Sequence, residues 1–192
     1  MSPEMSRISP LLPLRCLLAV LLCMLLGAAQ AQAPGPALER QVKAAYLFKF
    51  ASFVEWPESS FARPDSALHI GVAGSDLLAE QLERMVAGRT VNGHPVKVRR
   101  LQAGDALADL HILFIDNSFE RGAMAAMLNA ARGQSLLTVS DAGDALALGC
   151  MISFVVADDK LRFDVALRYV SSSRLRISAR MLAVAHRVQG AT

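Results

Sequence analysis

The side chains in this sequence that could act chemically are few, and four of them are histidines. His69, His94, His111 and His186 are too far apart in sequence for any two to share one turn of a helix, so no helix-borne metal pair is predicted. His69 and His111 stand at the starts of two predicted strands, where neighbouring imidazoles could bind a metal ion or respond to pH. Unrelated strand-edge histidines are the commoner arrangement, and the sequence predicts no metal and no other cofactor.

A short turn at Gly71–Asp76 has the position of a phosphate-binding loop, between a predicted strand and a predicted helix. It lacks the third glycine of a dinucleotide fingerprint, and no Gly-Lys-Ser/Thr follows it. Two interpretations stay open. The turn is structural, because a tight strand-to-helix connection needs small residues, or it anchors the ligand of a small-molecule-binding sensor module.

The sequence has none of the usual signatures of a catalytic nucleophile. There is no Gly-x-Ser-x-Gly elbow, and no serine or cysteine stands in a recognisable catalytic context. Asp141 and Asp144 flank a glycine turn, where helix capping explains two aspartates well. We therefore expect a protein that is not an enzyme.

The N-terminal segment has the three-part layout of a secretory signal peptide. An apolar run at residues 16–29 follows Arg7 and Arg15 and precedes Ala29-Gln30-Ala31, a small-x-small cleavage signal. The run is shorter than the roughly 20 apolar residues that a membrane span needs. We expect a Sec signal peptide at residues 1–31, cleaved near Ala31, and a single domain at residues 32–192.

Cys150 is the one cysteine of the predicted mature chain, because Cys16 and Cys23 belong to the signal peptide. No disulfide can therefore form within one mature chain. Cys150 is either a buried, inert thiol or a thiol that pairs between chains in an oxidising compartment. The formal net charge of +3 carries no signature of nucleic-acid binding, which would require a strongly basic face.

Apolar runs alternate with helical patterns along the mature chain, and the runs are apolar throughout. This predicts an α/β single domain with a mixed, mostly parallel central sheet of about six strands, helices on both faces and a C-terminal β-hairpin. The predicted strands are 68–73, 95–101, 109–116, 136–140, 151–157 and 161–166. The predicted helical segments are 37–55, 77–87, 119–131, 144–148 and 178–188.

The first predicted helix is unusually aromatic. Five aromatic residues fall within eleven positions, namely Tyr46, Phe48, Phe50, Phe53 and Trp56. On a helical wheel they do not form one stripe, so the helix must be covered on more than one side. It is a core helix, or a core helix whose remaining aromatics meet a partner. Lys43, Lys49 and Glu55 argue against membrane insertion.

Several blocks of this sequence are similar to those of the YfiR family of bacterial periplasmic proteins, in order and in spacing. The most specific is Phe53-Val54-Glu55-Trp56-Pro57, which follows Val42–Phe50. The further blocks are Ile70–Gly74, His111–Ile115, Leu137–Asp141, Gly149–Phe154, Leu161–Val165 and Leu175–Ala185. The resemblance covers nearly the whole mature chain.

The resemblance implies a periplasmic regulator with an α/β fold, often dimeric. Members of the family repress an inner-membrane diguanylate cyclase by binding its periplasmic part. An outer-membrane lipoprotein can sequester them, which raises cyclic-di-GMP and favours biofilm formation. A disulfide-based redox switch, known in some members, does not carry over to this chain, which has His111 where those members have cysteine.

A homodimer is therefore expected, with the cyclase and the lipoprotein as partners and no direct membrane insertion. We expect the partner-binding residues on the aromatic helix and on the segment that begins near Leu161. The expected contact residues are Tyr46, Phe50, Phe53, Trp56, Phe163, Asp164 and Leu167.

Overall fold

The apolar runs of the sequence form one curled, mostly parallel sheet in the computed structural model, which describes residues 35–190. The predicted signal peptide at residues 1–31 lies outside the described residues. The strands are β1 (Val54–Glu55), β2 (Leu68–Ala73), β3 (Thr90–Val91), β4 (His94–Leu101), β5 (Ile112–Ile115), β6 (Leu137–Ser140), β7 (Ile152–Ala157), β8 (Lys160–Ala166), β9 (Arg176–Ile177) and β10 (Arg187–Gln189). The helices are α1 (Pro36–Phe53), α2 (Asp76–Val86), α3 (Arg121–Ala131), α4 (Ala145–Leu148), α5 (Leu167–Ser171) and α6 (Ala179–Ala183).

The main sheet has the strand order β10-β8-β7-β6-β5-β2-β4-β3. Strands β2, β4, β5, β6 and β7 run parallel, and the β3–β4 and β7–β8 pairs are antiparallel. A separate two-stranded sheet joins β1 to β9, with Val54 opposite Ile177. The α/β class, the mixed sheet and the β7–β8 hairpin are therefore confirmed, although the main sheet has eight strands rather than about six.

Two layers of side chains cover the two faces of the sheet. Along β5, Ile112 and Phe114 belong to a large core cluster that also contains residues of α1 and α2. Leu113 and Ile115 point the other way, into a second cluster with residues of α3. This period-two alternation of apolar residues is what a strand covered on both faces requires, and it confirms the prediction of helices on both faces.

The largest correction concerns the C-terminal segment, which was predicted as one helix over residues 178–188. Helix α6 ends at Ala183, and the chain then turns so that the His186 amide donates to the Phe163 carbonyl at 2.8 Å. Strand β10 follows and pairs in parallel with β8. Pairing with a distant strand has overridden the local helical pattern, because each residue of β10 gains a backbone partner there.

Within residues 35–190, no helix is long and apolar enough to cross a membrane. Helix α1 ends at Phe53, where the chain becomes extended and continues into β1. The half-buried Trp56 follows, and its indole Nε1 donates to the His111 carbonyl at 3.2 Å. The segment that follows the aromatic helix is thus tied to the residue that immediately precedes β5.

Candidate functional site

Helix α1 buries one long side against the sheet and against α2. Its fully covered residues recur at helical spacing, at Ala44, Leu47 and Ala51, with Phe50 beside them. The alanines of α1 favour a helical conformation, and Pro36 lies in the first turn, where a proline is tolerated. The helix is therefore a core element along this side, as both interpretations required.

The aromatic residues of α1 pack into a cluster with β7 and β8. The Phe50 ring meets the Phe163 ring edge-on at 5.1 Å between centroids, and Tyr46 lies 5.5 Å from Phe163 and 5.8 Å from Phe154. Pairs in these geometries stabilise a core beyond their area burial. Phe50 and Phe163 are buried, so they reach no other molecule while the fold is intact.

The remaining expected contact residues are distributed differently. Tyr46, Phe53, Trp56 and Leu167 are half-buried and keep part of their surface. Asp164 is buried, and its Oδ1 accepts a hydrogen bond from His186 Nδ1 at 2.9 Å. The same contact is an ion pair when the His186 ring is protonated. The structure therefore groups Tyr46, Phe50 and Phe163 in one cluster, while Trp56 belongs to the environment of His111.

An open apolar groove of about 400 Å³ runs along the outer face of α1. It is lined by Leu38, Gln41, Val42, Ala45, Tyr46 and Lys49. Leu38 is 51% exposed, although it is one of the largest apolar side chains of the helix. The sequence carried a signal for this groove, since Leu38, Val42 and Tyr46 follow one another at four-residue spacing, but our expected contacts included Tyr46 alone among its lining residues. We call this feature the α1 groove.

A buried ion pair fixes the side of α1 that faces the sheet. Lys43 Nζ lies 2.5 Å from Asp141 Oδ2 and 2.6 Å from Glu39 Oε1, and Asp141 Oδ1 accepts the Asn117 amide at 2.7 Å. Burial works against the charge on Lys43, but the hydrogen bonds to the two carboxylates outweigh it and raise the pKa of this ammonium. Burial, with the nearby charge of Asp116, raises the pKa of Asp141 against the opposing effect of Lys43.

This ion pair was not predicted, because the two residues are 98 positions apart in the chain. Asp141 follows β6, so its carboxylate stands at the carboxyl end of a central parallel strand. The Lys43–Asp141 pair therefore fixes α1 across the ends of β5 and β6. A structural role follows, because both carboxylate oxygens of Asp141 are engaged within the domain.

Three histidines gather at the opposite, amino ends of β2 and β5. The His69 amide donates to His111 Nδ1 at 3.2 Å, and the two rings lie 6.4 Å apart. The ring of Phe61 lies between His94, at 3.8 Å, and His111, at 4.4 Å. The strands that carry His69 and His111 are neighbours, the less common of the two arrangements that the sequence allowed, because β2 pairs with β5.

His111 is 2% exposed, and its Nε2 has no hydrogen-bond partner among the described residues. Burial, together with the charges that His69 and His94 can carry, lowers the pKa of His111 to about 4, against a partial offset from the carbonyls of Ser60 and Asp109. The imidazole is therefore neutral at pH 7. Among residues 35–190, no group of three or more histidine, cysteine or acidic side chains is arranged to hold a metal ion.

The glycine turn after β2 is filled by its own neighbours. Gly74 has a φ of +86°, and a Cβ there would lie 3.1 Å from Asp116 Cβ and 3.2 Å from the ring of Phe119. Ser118 Oγ donates to the Gly74 carbonyl at 3.1 Å. A Cβ on Gly71 would come 2.6 Å from Leu101 Cδ1. These contacts favour the structural interpretation of the turn.

Cys150 lies in the second core cluster and has no exposed surface. Its thiol donates to the Ile152 carbonyl at 3.2 Å. Burial raises the pKa of the Cys150 thiol to about 12, so the reactive thiolate is not formed at neutral pH. A disulfide between chains would require the fold to open first.

Comparison with known proteins gives one informative match. A family model described as YfiR/HmsC-like matches residues 40–186, from the second turn of α1 to the residue before β10. No protein with a curated description matches the chain. The matched range contains the aromatic cluster, the histidine cluster and most of the α1 groove.

Proposed function

Because this chain belongs to the YfiR/HmsC-like family, we propose that it represses an inner-membrane diguanylate cyclase by reversible binding to the periplasmic part of that enzyme. At the level of the family, membership supports a periplasmic regulator of diguanylate cyclase signalling rather than a catalyst. For this chain in particular, we propose a contact surface for the cyclase and an effect of its binding on the cell. Repression would lower cyclic-di-GMP and restrain biofilm formation.

The α1 groove is the observation that supports a protein partner. Apolar side chains exposed together along one helix face are typical of an interaction surface, and tyrosine is among the residues enriched in protein interfaces. Three apolar side chains follow one another along the groove, about one helical turn apart: Leu38, Val42 and Tyr46. This spacing fits an amphipathic helix of the cyclase laid along the groove.

The charge at one end of the α1 groove indicates which residues the partner should carry. Lys49 lines the end near the C-terminus of α1, and its ammonium is exposed. We expect the partner helix to carry an acidic residue at this position and apolar residues opposite Leu38 and Val42. The ion pair at the rim then sets orientation, while the apolar contacts supply most of the affinity.

Buried residues hold the groove in shape. Phe50 and Phe163 fix the ring of Tyr46 from below, and the Tyr46 hydroxyl donates to the Leu161 carbonyl at 3.4 Å. In our proposal these two phenylalanines act by positioning Tyr46, whereas Tyr46 itself contacts the cyclase. Phe53, Trp56 and Leu167 remain proposed secondary contacts, because each keeps part of its surface.

Repression by such a contact is a shift of conformational populations. A regulator that binds the inactive state of the cyclase more tightly moves the equilibrium only by its differential affinity for that state. In our proposal the outer-membrane lipoprotein competes for the same α1 groove. Sequestration then removes the regulator from the cyclase without any chemical change in either protein.

We also propose that the chain forms a homodimer through its exposed sheet edge. Strand β10 pairs with β8 on one side, and all three of its residues are exposed. An open edge offers unpaired backbone groups to the same strand of a second copy. Solution mass at several concentrations, with and without reductant, tests this; a monomer at every concentration would contradict it.

Binding of the mature protein to the purified periplasmic segment of a membrane diguanylate cyclase from the same genome tests the central proposal. Leu38→Glu should weaken this binding by at least about tenfold, because burying one leucine side chain contributes about 1.5–3 kcal/mol. Leu77→Glu is the matched control, since Leu77 is 58% exposed on α2 and outside the α1 groove.

The expected result is micromolar or tighter binding by the wild type and by Leu77→Glu, with a selective loss in Leu38→Glu. Circular dichroism of each variant shows that the fold is retained. No association of the folded wild type at micromolar concentrations would overturn the proposed function. Equal weakening by both variants would leave the proposed partner in place but would contradict the α1 groove as its binding surface.

A further inference from the structure

A second recess lies at the amino ends of β5 and β6, away from the α1 groove. It has a volume of about 300 Å³ and is lined mostly by polar residues. The side chains that matter are Ser59, Ser60, Asp109, Gln134, Ser135 and Arg174. They come from four separate segments of the chain, so the tertiary structure alone brings them together. We call this recess the polar crevice.

Two strained backbone positions flank the polar crevice. Five residues other than glycine have a positive φ in the part of the chain that the structure describes. Three of them, Asn92, Asp158 and Asp159, lie in tight turns between antiparallel strands, which require this conformation. The other two are Asp109, with a φ of +63°, and Arg174, with a φ of +60°, and both line the crevice.

Such a conformation is costly for residues with a side chain, and it persists only where the surrounding structure holds it in place. In the connection after α5, a glycine would adopt the conformation of Arg174 without strain. A strained arginine in the wall of a recess is therefore a candidate for a functional residue.

The polar groups of the crevice are also incompletely paired. The Ser60 hydroxyl is buried and has no hydrogen-bond partner among the described residues. Over residues 35–190, the guanidinium of the exposed Arg174 takes part in no hydrogen bond and no ion pair, so its donors are available to a ligand. A buried hydroxyl without a partner costs free energy, and Ser60 is one of the residues that line the crevice.

We propose that the polar crevice binds a small molecule that carries an oxyanion, either a carboxylate or a phosphate. Arg174 pairs with the oxyanion, because its planar guanidinium presents two parallel donors to such a group. Ser59 and Ser135, which also line the crevice, supply hydroxyl donors to the same end of the ligand. The Asp109 carboxylate accepts a hydrogen bond from a hydroxyl or ammonium group elsewhere on the ligand.

This arrangement makes a specific prediction about ligand chemistry. The Asp109 carboxylate repels a ligand that carries only an anionic group but accepts a hydrogen bond from a hydroxyl next to that group. Lactate, which has such a hydroxyl, should therefore bind more tightly than propionate. The two acids differ by one hydroxyl group, which isolates the contribution of Asp109. Inorganic phosphate serves as the third probe and distinguishes a phosphate site from a carboxylate site.

Isothermal titration calorimetry of the mature chain with lactate, propionate and inorganic phosphate tests the proposal. We expect saturable binding of lactate or phosphate to the wild type, and lactate above propionate. Arg174→Ala should weaken binding at least about tenfold, since it removes a hydrogen bond to a charged group. Arg180→Ala removes another exposed arginine, one that does not line the crevice, and should leave binding unchanged.

No saturable binding of any of the three probes at millimolar concentration would overturn the proposal. Equal weakening in Arg174→Ala and Arg180→Ala would also overturn it, because the effect would then be one of general charge. Failure here would leave the cyclase-binding proposal intact, since the α1 groove shares none of these residues.

Discussion

Acidification should destabilise this domain through one buried imidazole, that of His111. Its pKa is about 4 in the folded chain and near 6.5 in an unfolded one. Between these two values the unfolded chain binds more protons, so the free energy of unfolding falls as the pH falls. The stabilisation is present above pH 6.5 and is lost progressively down to pH 4.

The size of the effect follows from the two pKa values. Each pKa unit corresponds to about 1.4 kcal/mol, so the full loss below pH 4 is about 3.4 kcal/mol, and about 2 kcal/mol of it is lost between pH 7 and pH 5. The structural cause is clear. The His69 amide donates to Nδ1 of His111, so protonation of that nitrogen breaks the hydrogen bond and places a charge beside His69 and His94.

Urea unfolding at pH 7 and pH 5, followed by tryptophan fluorescence and circular dichroism, measures the effect. A change of about 2 kcal/mol moves the midpoint by about 1 M urea for a domain of this size. The informative variant is His111→Asn, because its amide oxygen can still accept the His69 amide but the side chain does not titrate. His186→Asn is the control, since His186 lies outside the cluster and pairs with Asp164.

We expect His111→Asn to be less stable than the wild type at pH 7, because packing against Phe61 and Trp56 is reduced. Its loss between pH 7 and pH 5 should be smaller than that of the wild type by about 2 kcal/mol. The same pH dependence in the wild type and in His111→Asn would refute the reasoning. An NMR titration that places the His111 pKa above 6 would refute it as well.

Three further predictions concern the core. Lys43→Met should cost about 3–5 kcal/mol of unfolding free energy in urea titrations, because it leaves the Asp141 carboxylate buried and unpaired; adding Asp141→Leu should recover most of that loss. Gly71→Ala should cost about 1–3 kcal/mol through overpacking against two leucine side chains, whereas Gly143→Ala, with open space around it, should be nearly neutral in the same assay. Cys150 should react with a thiol reagent only as fast as the domain opens, and at once in urea; rapid labelling of the native protein would contradict its burial.

Sequence reasoning located the parallel strands to within a few residues. Strand β2 was predicted at residues 68–73 and lies there, because a short apolar run bounded by turn residues has few other stable conformations. The strand predicted at residues 109–116 begins only at Ile112, since Asp109 adopts a positive φ and turns the chain. The local sequence does not reveal such a turn, because a positive φ is usually signalled by a glycine and this position holds an aspartate.

Four short strands escaped prediction for a different reason. Strands β1, β3, β9 and β10 have two or three residues each, which is too short for any periodicity to appear. The existence of β1, β9 and β10 also depends on partners far away in the chain, such as Ile177 for Val54. The predicted C-terminal helix failed at the same point, where β10 found an open edge on β8.

The candidate sites divide in the same way. The aromatic residues of α1 were visible in the sequence, but which of them are buried depends on how β7 and β8 pack against the helix. The same holds for the histidines: their positions at strand starts were readable, and the β2–β5 pairing placed them together. Phe61 and His94 completed the cluster without any sequence signal.

By itself, the sequence determined the α/β class, the resemblance to a family of regulators and the aromatic character of α1, because these depend on residue types and short spacings. The tertiary structure decided which polar groups meet. Lys43 found Asp141 across 98 residues, and Arg174 came to stand beside Ser60 and Asp109. Contacts of this kind arise from strand order and helix docking, whose energies are spread over the whole core and leave no local pattern.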